Sequence, residues 1–129
     1  MFHHSVLKVL VLLSTFFLCT FANSISVDCR YAYGGNDGGF TSCQSGDSAD
    51  TQHACQVNSC YSGKNQWVNI DKCVLEDSSN QNSSQQSCKD YMWEDDTRTF
   101  SCTNLKDQTF HCSSTPEKIA YIKCGICNP

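Results

Sequence analysis

Apolar and polar residues alternate in short runs along most of the chain, and no amphipathic helix of ordinary length appears. WVNID, RTFSC, QTFHC and IAYIKC alternate or run apolar over four to six residues, as short half-buried strands do. YAYGGNDGGF sets aromatic-rich ends around a Gly-Gly-Asn-Asp-Gly-Gly centre, and glycine supplies the positive φ that a tight hairpin turn requires. Pro116 before Glu117 can open one helical turn. The pattern predicts a small, mainly β fold.

The first 22 residues follow a different rule. MFHHSVLKVLVLLSTFFLCTFA has one early lysine, Lys8, an apolar run from Val9 to Leu18, and small residues at Thr20 and Ala22. This is the layout of a secretory signal peptide, cleaved after Ala22. The apolar run is short for a membrane span, and no other stretch is apolar enough to make one. The expected mature chain, residues 23–129, is secreted, soluble and free of the membrane.

Removal of the leader takes Cys19 with it and leaves ten cysteines, an even number bound for an oxidising compartment. Val, Ile, Leu and Phe supply only 14 of the 107 mature residues. A core so poor in large aliphatics cannot hold the fold alone, so disulfides or metal ions must staple it.

Charge narrows the partners. The mature chain carries eight basic and thirteen acidic residues, a net charge of −5, and its lysines and arginines are not clustered. Phosphate backbones need such clusters, so nucleic acid is not an expected partner. The run Glu94-Asp95-Asp96 reads as a solvated loop, because it lacks the alternating ladder and terminal Glu of a calcium loop.

A polar stretch, SSNQNSSQQS at 78–87, contains no apolar anchor and reads as a linker. Within it, Asn82-Ser83-Ser84 is a glycosylation acceptor sequence. Five cysteines lie on each side. Cys29 to Cys43 and Cys88 to Cys102 span the same distance, and an aromatic (Phe40, Phe100) precedes the second cysteine of each pair. Each half places its one histidine just before its third cysteine, in His53-Ala54-Cys55 and His111-Cys112. Apolar runs end at cysteines in WVNIDKC and KIAYIKC. The expectation is a degenerate tandem repeat of about 45 residues. Residues 23–77 and 88–129 would be two similar cysteine-rich β units in a monomer.

The chain closes on Cys124-Gly125-Ile126-Cys127. A thioredoxin-type redox pair would sit at a helix N-terminus, and too few residues follow to form a helix. Two readings stay open. In one, all ten cysteines form structural disulfides. In the other, zinc takes three thiolates and one neutral imidazole in each half. The ligands would be Cys29, Cys43, His53 and Cys55, and then Cys88, Cys102, His111 and Cys112. Cys60, Cys73, Cys124 and Cys127 would be alternative ligands or disulfide partners.

His53, Glu76, Arg98 and His111 occur in the order that resembles the His, Glu, Arg, His set of small secreted fungal guanyl-specific ribonucleases. That set would perform acid–base cleavage of a phosphate ester. Here Glu76 abuts the polar stretch in VLEDSSN, where those enzymes hold it on a central strand, and no catalytic residue is assigned. An inhibitor of extracellular hydrolases is the other alternative. The aromatics around the glycine-rich hairpin, Tyr31, Tyr33 and Phe40, suit either a binding face or packing across the hairpin.

The leader, the short mature length, the spaced cysteines and the Ser/Asn-rich loops together make the chain similar to the small secreted cysteine-rich effectors of plant-pathogenic fungi. Through HAC, FHC and CGIC it resembles rust-type avirulence effectors, some of which are tandem domains that hold zinc. The resemblance implies a non-enzymatic virulence protein that binds a host protein, enters host cells and is recognised by a plant immune receptor. It also implies zinc as a bound metal.

Overall fold

The computed structural model describes residues 23–79 and 82–129. The expected signal peptide lies outside the described residues. The alternating runs become ten strands: β1 Ile25–Cys29, β2 Ala32–Asp37, β3 Phe40–Gln44, β4 Gln52–Gln56, β5 Cys60–Tyr61, β6 Val68–Leu75, β7 Ser84–Glu94, β8 Thr99–Asn104, β9 Thr109–Cys112 and β10 Ile122–Cys127. Among the described residues, helical structure is limited to two single 3-10 turns, Ala49–Thr51 and Val57–Ser59, and Pro116 opens an ordinary turn. Among the described residues, no helix is long and apolar enough to cross a membrane.

The glycine-rich centre does what glycine permits. Asp37 pairs with Phe40 across the two-residue loop Gly38-Gly39, whose φ values of 59° and 85° match the twist of the flanking strands. Tyr33 on that hairpin is almost wholly buried, whereas Phe40 is half-exposed.

Strand pairing runs in two circuits, the first completed by chain continuity and the second by pairing alone. In the first, β1 pairs with β10, β10 with β4, β4 with β3 and β3 with β2, which continues from β1 after a bend at Arg30 and Tyr31. In the second, β7 pairs with β6, β6 with β9, β9 with β8 and β8 with β7. The registers coincide position by position. Cys29 lies opposite Ile122, and Cys88 opposite Val68. Further along, Cys127 lies opposite both Ile25 and Cys55, as Cys73 lies opposite both Ser84 and Cys112.

All ten cysteines among the described residues form disulfides. Cys29–Cys43, Cys55–Cys127 and Cys60–Cys124 lie in the first circuit, and Cys73–Cys112 and Cys88–Cys102 in the second. The equal spacing of two cysteine pairs thus marks two equivalent bridges. None of these five disulfides joins the circuits to each other. All ten cystine residues are buried in the core that also holds Phe100, Ile70 and Ile122, so the bridges also supply the apolar volume that aliphatic residues lack. Bridges of this kind typically contribute about 2–4 kcal/mol each.

The pairing does not follow the boundary expected from composition. Ser84 to Ser87, placed in the linker, are the first residues of β7 and pair with β6. A strand surface open to water needs no apolar residues, which is why a polar stretch can still be a strand. Strands from the two sides of residues 78–87 also interleave. β6, from the N-terminal side, pairs with β7 and β9, and β10, from the C-terminal side, pairs with β1, β4 and β5. Three of the five disulfides cross the same boundary.

Candidate functional site

The two circuits meet where β2 pairs with β7, Ala32 opposite Met92 and Tyr33 opposite Tyr91. Successive side chains on a strand take opposite faces, so this ladder sorts its residues cleanly. Tyr33 and Tyr91 face inward and start a buried aromatic chain. Tyr91 packs edge-on against Phe100 at 6.1 Å, and Phe100 against Trp93 at 5.2 Å. The Tyr91 hydroxyl donates to Cys29 O at 2.6 Å and accepts from Ile122 N–H at 2.9 Å. One buried phenol thereby ties β7 to β1 and β10. Burial drives its ionisation far above the ordinary range, so it stays neutral.

Ala32 and Met92 face outward, and the registers extend their row across the sheet. Gln52 on β4, Gln44, Ala32, Met92, Ser101 on β8 and His111 on β9 are successive cross-strand neighbours. A second row runs through Ala54, Ser42 and Gly34, and through Asp90, Thr103 and Thr109. Apart from Met92 and His111, these side chains are small or neutral polar, with Asp90 the exception in charge.

A cleft of about 340 Å³ opens on this face over the junction, lined by Ala32, Tyr33, Gly34, Gly35, Ser42, Gln44 and Gln52 from the first circuit and by Asp90, Tyr91, Met92, Ser101 and Thr103 from the second. A neighbouring cleft shares Gly35, Ser42 and Gln52 and reaches Phe40 and His53. Gly34 is essential to the floor. Its φ is 150°, and a Cβ built there would stand 2.6 Å from Asp90 Oδ1. Partial burial pushes the Asp90 carboxyl above its ordinary range, against the opposing pull of the Lys89 charge and the Gly35 N–H bond.

The residues expected to hold zinc do not fit it. Zinc takes thiolates, and every candidate sulfur is committed to a disulfide. The sulfurs do crowd, with Cys29, Cys43 and Cys124 in one group, Cys55, Cys124 and Cys127 in another, and Cys88, Cys102 and Cys112 in a third. Each group is a disulfide with a sulfur of a neighbouring bridge. The histidines are not part of these groups. His53 Nδ1 lies 2.8 Å from Asn128 O, while His111 is paired with Ser101 on the face opposite Cys102 and Cys112. Cys124 and Cys127 form no knuckle, because they are bonded to separate segments at Cys60 and Cys55.

The ribonuclease-like set is only partly assembled. His111 Nε2 lies 3.3 Å from Glu76 Oε1. His53 sits on β4, five strand steps away, roughly 24 Å along the sheet at the usual strand spacing. Arg98 occupies the turn between β7 and β8 with a φ of 53°. Asn82 is exposed at the start of the segment leading into β7.

No local pattern announces the cleft. Ala32, Asp90, Met92 and Ser101 are unremarkable in their own segments, and only the β2–β7 register brings them together. Comparison with protein-family models, characterised proteins and solved structures finds no match to this chain.

Proposed function

We propose that this is a secreted, non-enzymatic binding protein of the effector type, whose partner is a host protein docked on the outer face of β3, β2, β7 and β8. The carrying observation is the cleft at the β2–β7 junction, which both circuits line and Met92, about half-exposed, borders. A concave patch with one apolar anchor and many neutral hydrogen-bonding groups suits recognition of a protein surface. Entry into host cells and detection by a plant immune receptor belong to the same proposal and rest on the resemblance of the sequence. Disulfide stapling suits a protein that must survive outside the cell without a large core.

The test uses the oxidised mature chain as bait in host plant extract. Ser42→Arg and Ser101→Arg each place a bulky charge on the proposed face, and Lys64→Glu alters the remote β5–β6 turn. A specific partner captured by the parent and by Lys64→Glu, but lost from both arginine variants, supports the proposal. Equal capture by all four, or RNA cleavage abolished by His111→Ala, overturns it.

A further inference from the structure

Asp90 is the one charged side chain that lines the junction cleft, set among neutral hydrogen-bonding groups. We propose that the cleft is a cation site that receives the ammonium or guanidinium group of a lysine or arginine side chain on the docked partner. The inference rests on the partner-binding reading and specifies its chemistry.

Four features of the site agree. The first is a charge whose neighbouring cation is already paired elsewhere. Lys89, next to Asp90 in the chain, is paired with Asp107 and does not line the cleft. The Gly35 N–H on the cleft floor is the backbone donor that favours the ionised carboxylate. A carboxylate accepts about four hydrogen bonds, so capacity remains for a multi-donor cation. A charge-assisted bond in a partly desolvated cleft is stronger than the same contact in water.

The second is space. Gly34 and Ala32 occupy the positions that Met92 and Asp90 hold on the other side of the ladder, and their small size makes the hollow. A volume near 340 Å³ is at the small end of the usual range of about 300–1,000 Å³ for ligand sites. It suits one long side chain better than a large cofactor.

The third is the lining. Met92 is 52% exposed and offers an apolar wall to a methylene stem, while Ser42, Gln44, Ser101 and Thr103 add side chains with oxygen acceptors to the lining. The fourth is the surrounding field. Glu94 follows Met92 on the same strand face, and Asp95 and Asp96 continue the acidic run into the exposed turn. Of the other charges on or next to these elements, Lys89 and Asp107 neutralise each other, Asp37 at the end of β2 adds to the acidic field, and Arg30, Arg98 and Lys106 oppose it. The acidic run thus steers cations toward the end of β7.

The experiment follows backbone amide shifts of the isotopically labelled, oxidised mature chain by NMR. The titrants are the N-acetyl N-methylamides of lysine and arginine, with the norleucine analogue as the uncharged match in length. Saturable shifts at Gly34, Gly35, Asp90, Met92 and Ser101 are expected with the two cations and not with norleucine. Asp90→Asn should weaken binding at least tenfold while resonances distant from the cleft stay in place. Should that variant misfold, salt decides on the parent protein: binding that weakens several-fold between about 0.05 and 0.5 M supports the site. No saturable shift, equal shifts with norleucine, or affinity indifferent to both salt and Asp90→Asn overturns it. A partner lost from Ser42→Arg and Ser101→Arg but retained at full affinity by Asp90→Asn would remove the cation site and leave the docking face standing.

Discussion

Tyr33 and Tyr91 lie directly opposite one another across the β2–β7 ladder, with ring centroids 6.2 Å apart. Each also faces a disulfide cysteine on its own hairpin, Tyr33 opposite Cys43 and Tyr91 opposite Cys102. The two circuits therefore touch through corresponding positions. The correspondence breaks where it matters for binding: Ala32 and Gly34 face Met92 and Asp90, so one side supplies the hollow and the other the charge and the apolar wall.

Tyr91→Phe should destabilise the protein by about 1–3 kcal/mol, because it strands the Cys29 carbonyl and the Ile122 N–H in a buried place. Denaturant unfolding measures the loss. A change within about 0.3 kcal/mol would mean that water reaches both groups once the hydroxyl is gone.

Native mass should be ten hydrogens below the reduced value, and peptide mapping should join Cys124 to Cys60 and Cys127 to Cys55. A chelator should leave the fold intact, and a reductant should unfold it. Cys73→Ala/Cys112→Ala should cost about 2–5 kcal/mol. Proteolysis between β6 and β7 should leave one covalently joined molecule that separates only on reduction, since Cys73–Cys112, Cys55–Cys127 and Cys60–Cys124 span that cut. Two free fragments before reduction would refute the bridge map.

Gly34→Ala should destabilise by about 1–3 kcal/mol, through both an unfavourable φ and the collision with Asp90. Adding Asp90→Ala should recover the steric share and leave the backbone share. Thermal unfolding of the single and double variants separates them, and an undiminished deficit in the double variant would exclude the collision.

Asp90 has a pKa raised by burial, so the folded state holds its proton more tightly than the unfolded state does. Its ionisation therefore costs stability as pH rises from the unfolded value through the folded one, and the cost is absent below about pH 3. Asp90→Asn should raise the melting temperature at pH 7 and leave it nearly unchanged at pH 3. A fall at pH 7 would show that the ionised carboxylate stabilises the fold.

The sequence by itself determined the local structure and the need for staples. Alternation placed the strands, Gly38-Gly39 made the hairpin loop, and the scarcity of aliphatics demanded the bridges, because each depends on neighbours along the chain. The equal spacing of Cys29–Cys43 and Cys88–Cys102 was legible for the same reason. Tertiary structure alone decided which strand pairs with which. A period of two says which face is buried but not which partner buries it, so nothing in VNIDKC announces β7 and β9, and nothing in IKCGIC announces β1 and β4. The histidines looked equivalent beside their cysteines, yet His53 is opposite Cys43 and His111 opposite Ser101, because one intervening residue reverses the face. The cleft lies furthest from the sequence: Gly34 and Asp90 are distant in the chain, and only the β2–β7 ladder makes the missing Cβ of one the space for the carboxylate of the other.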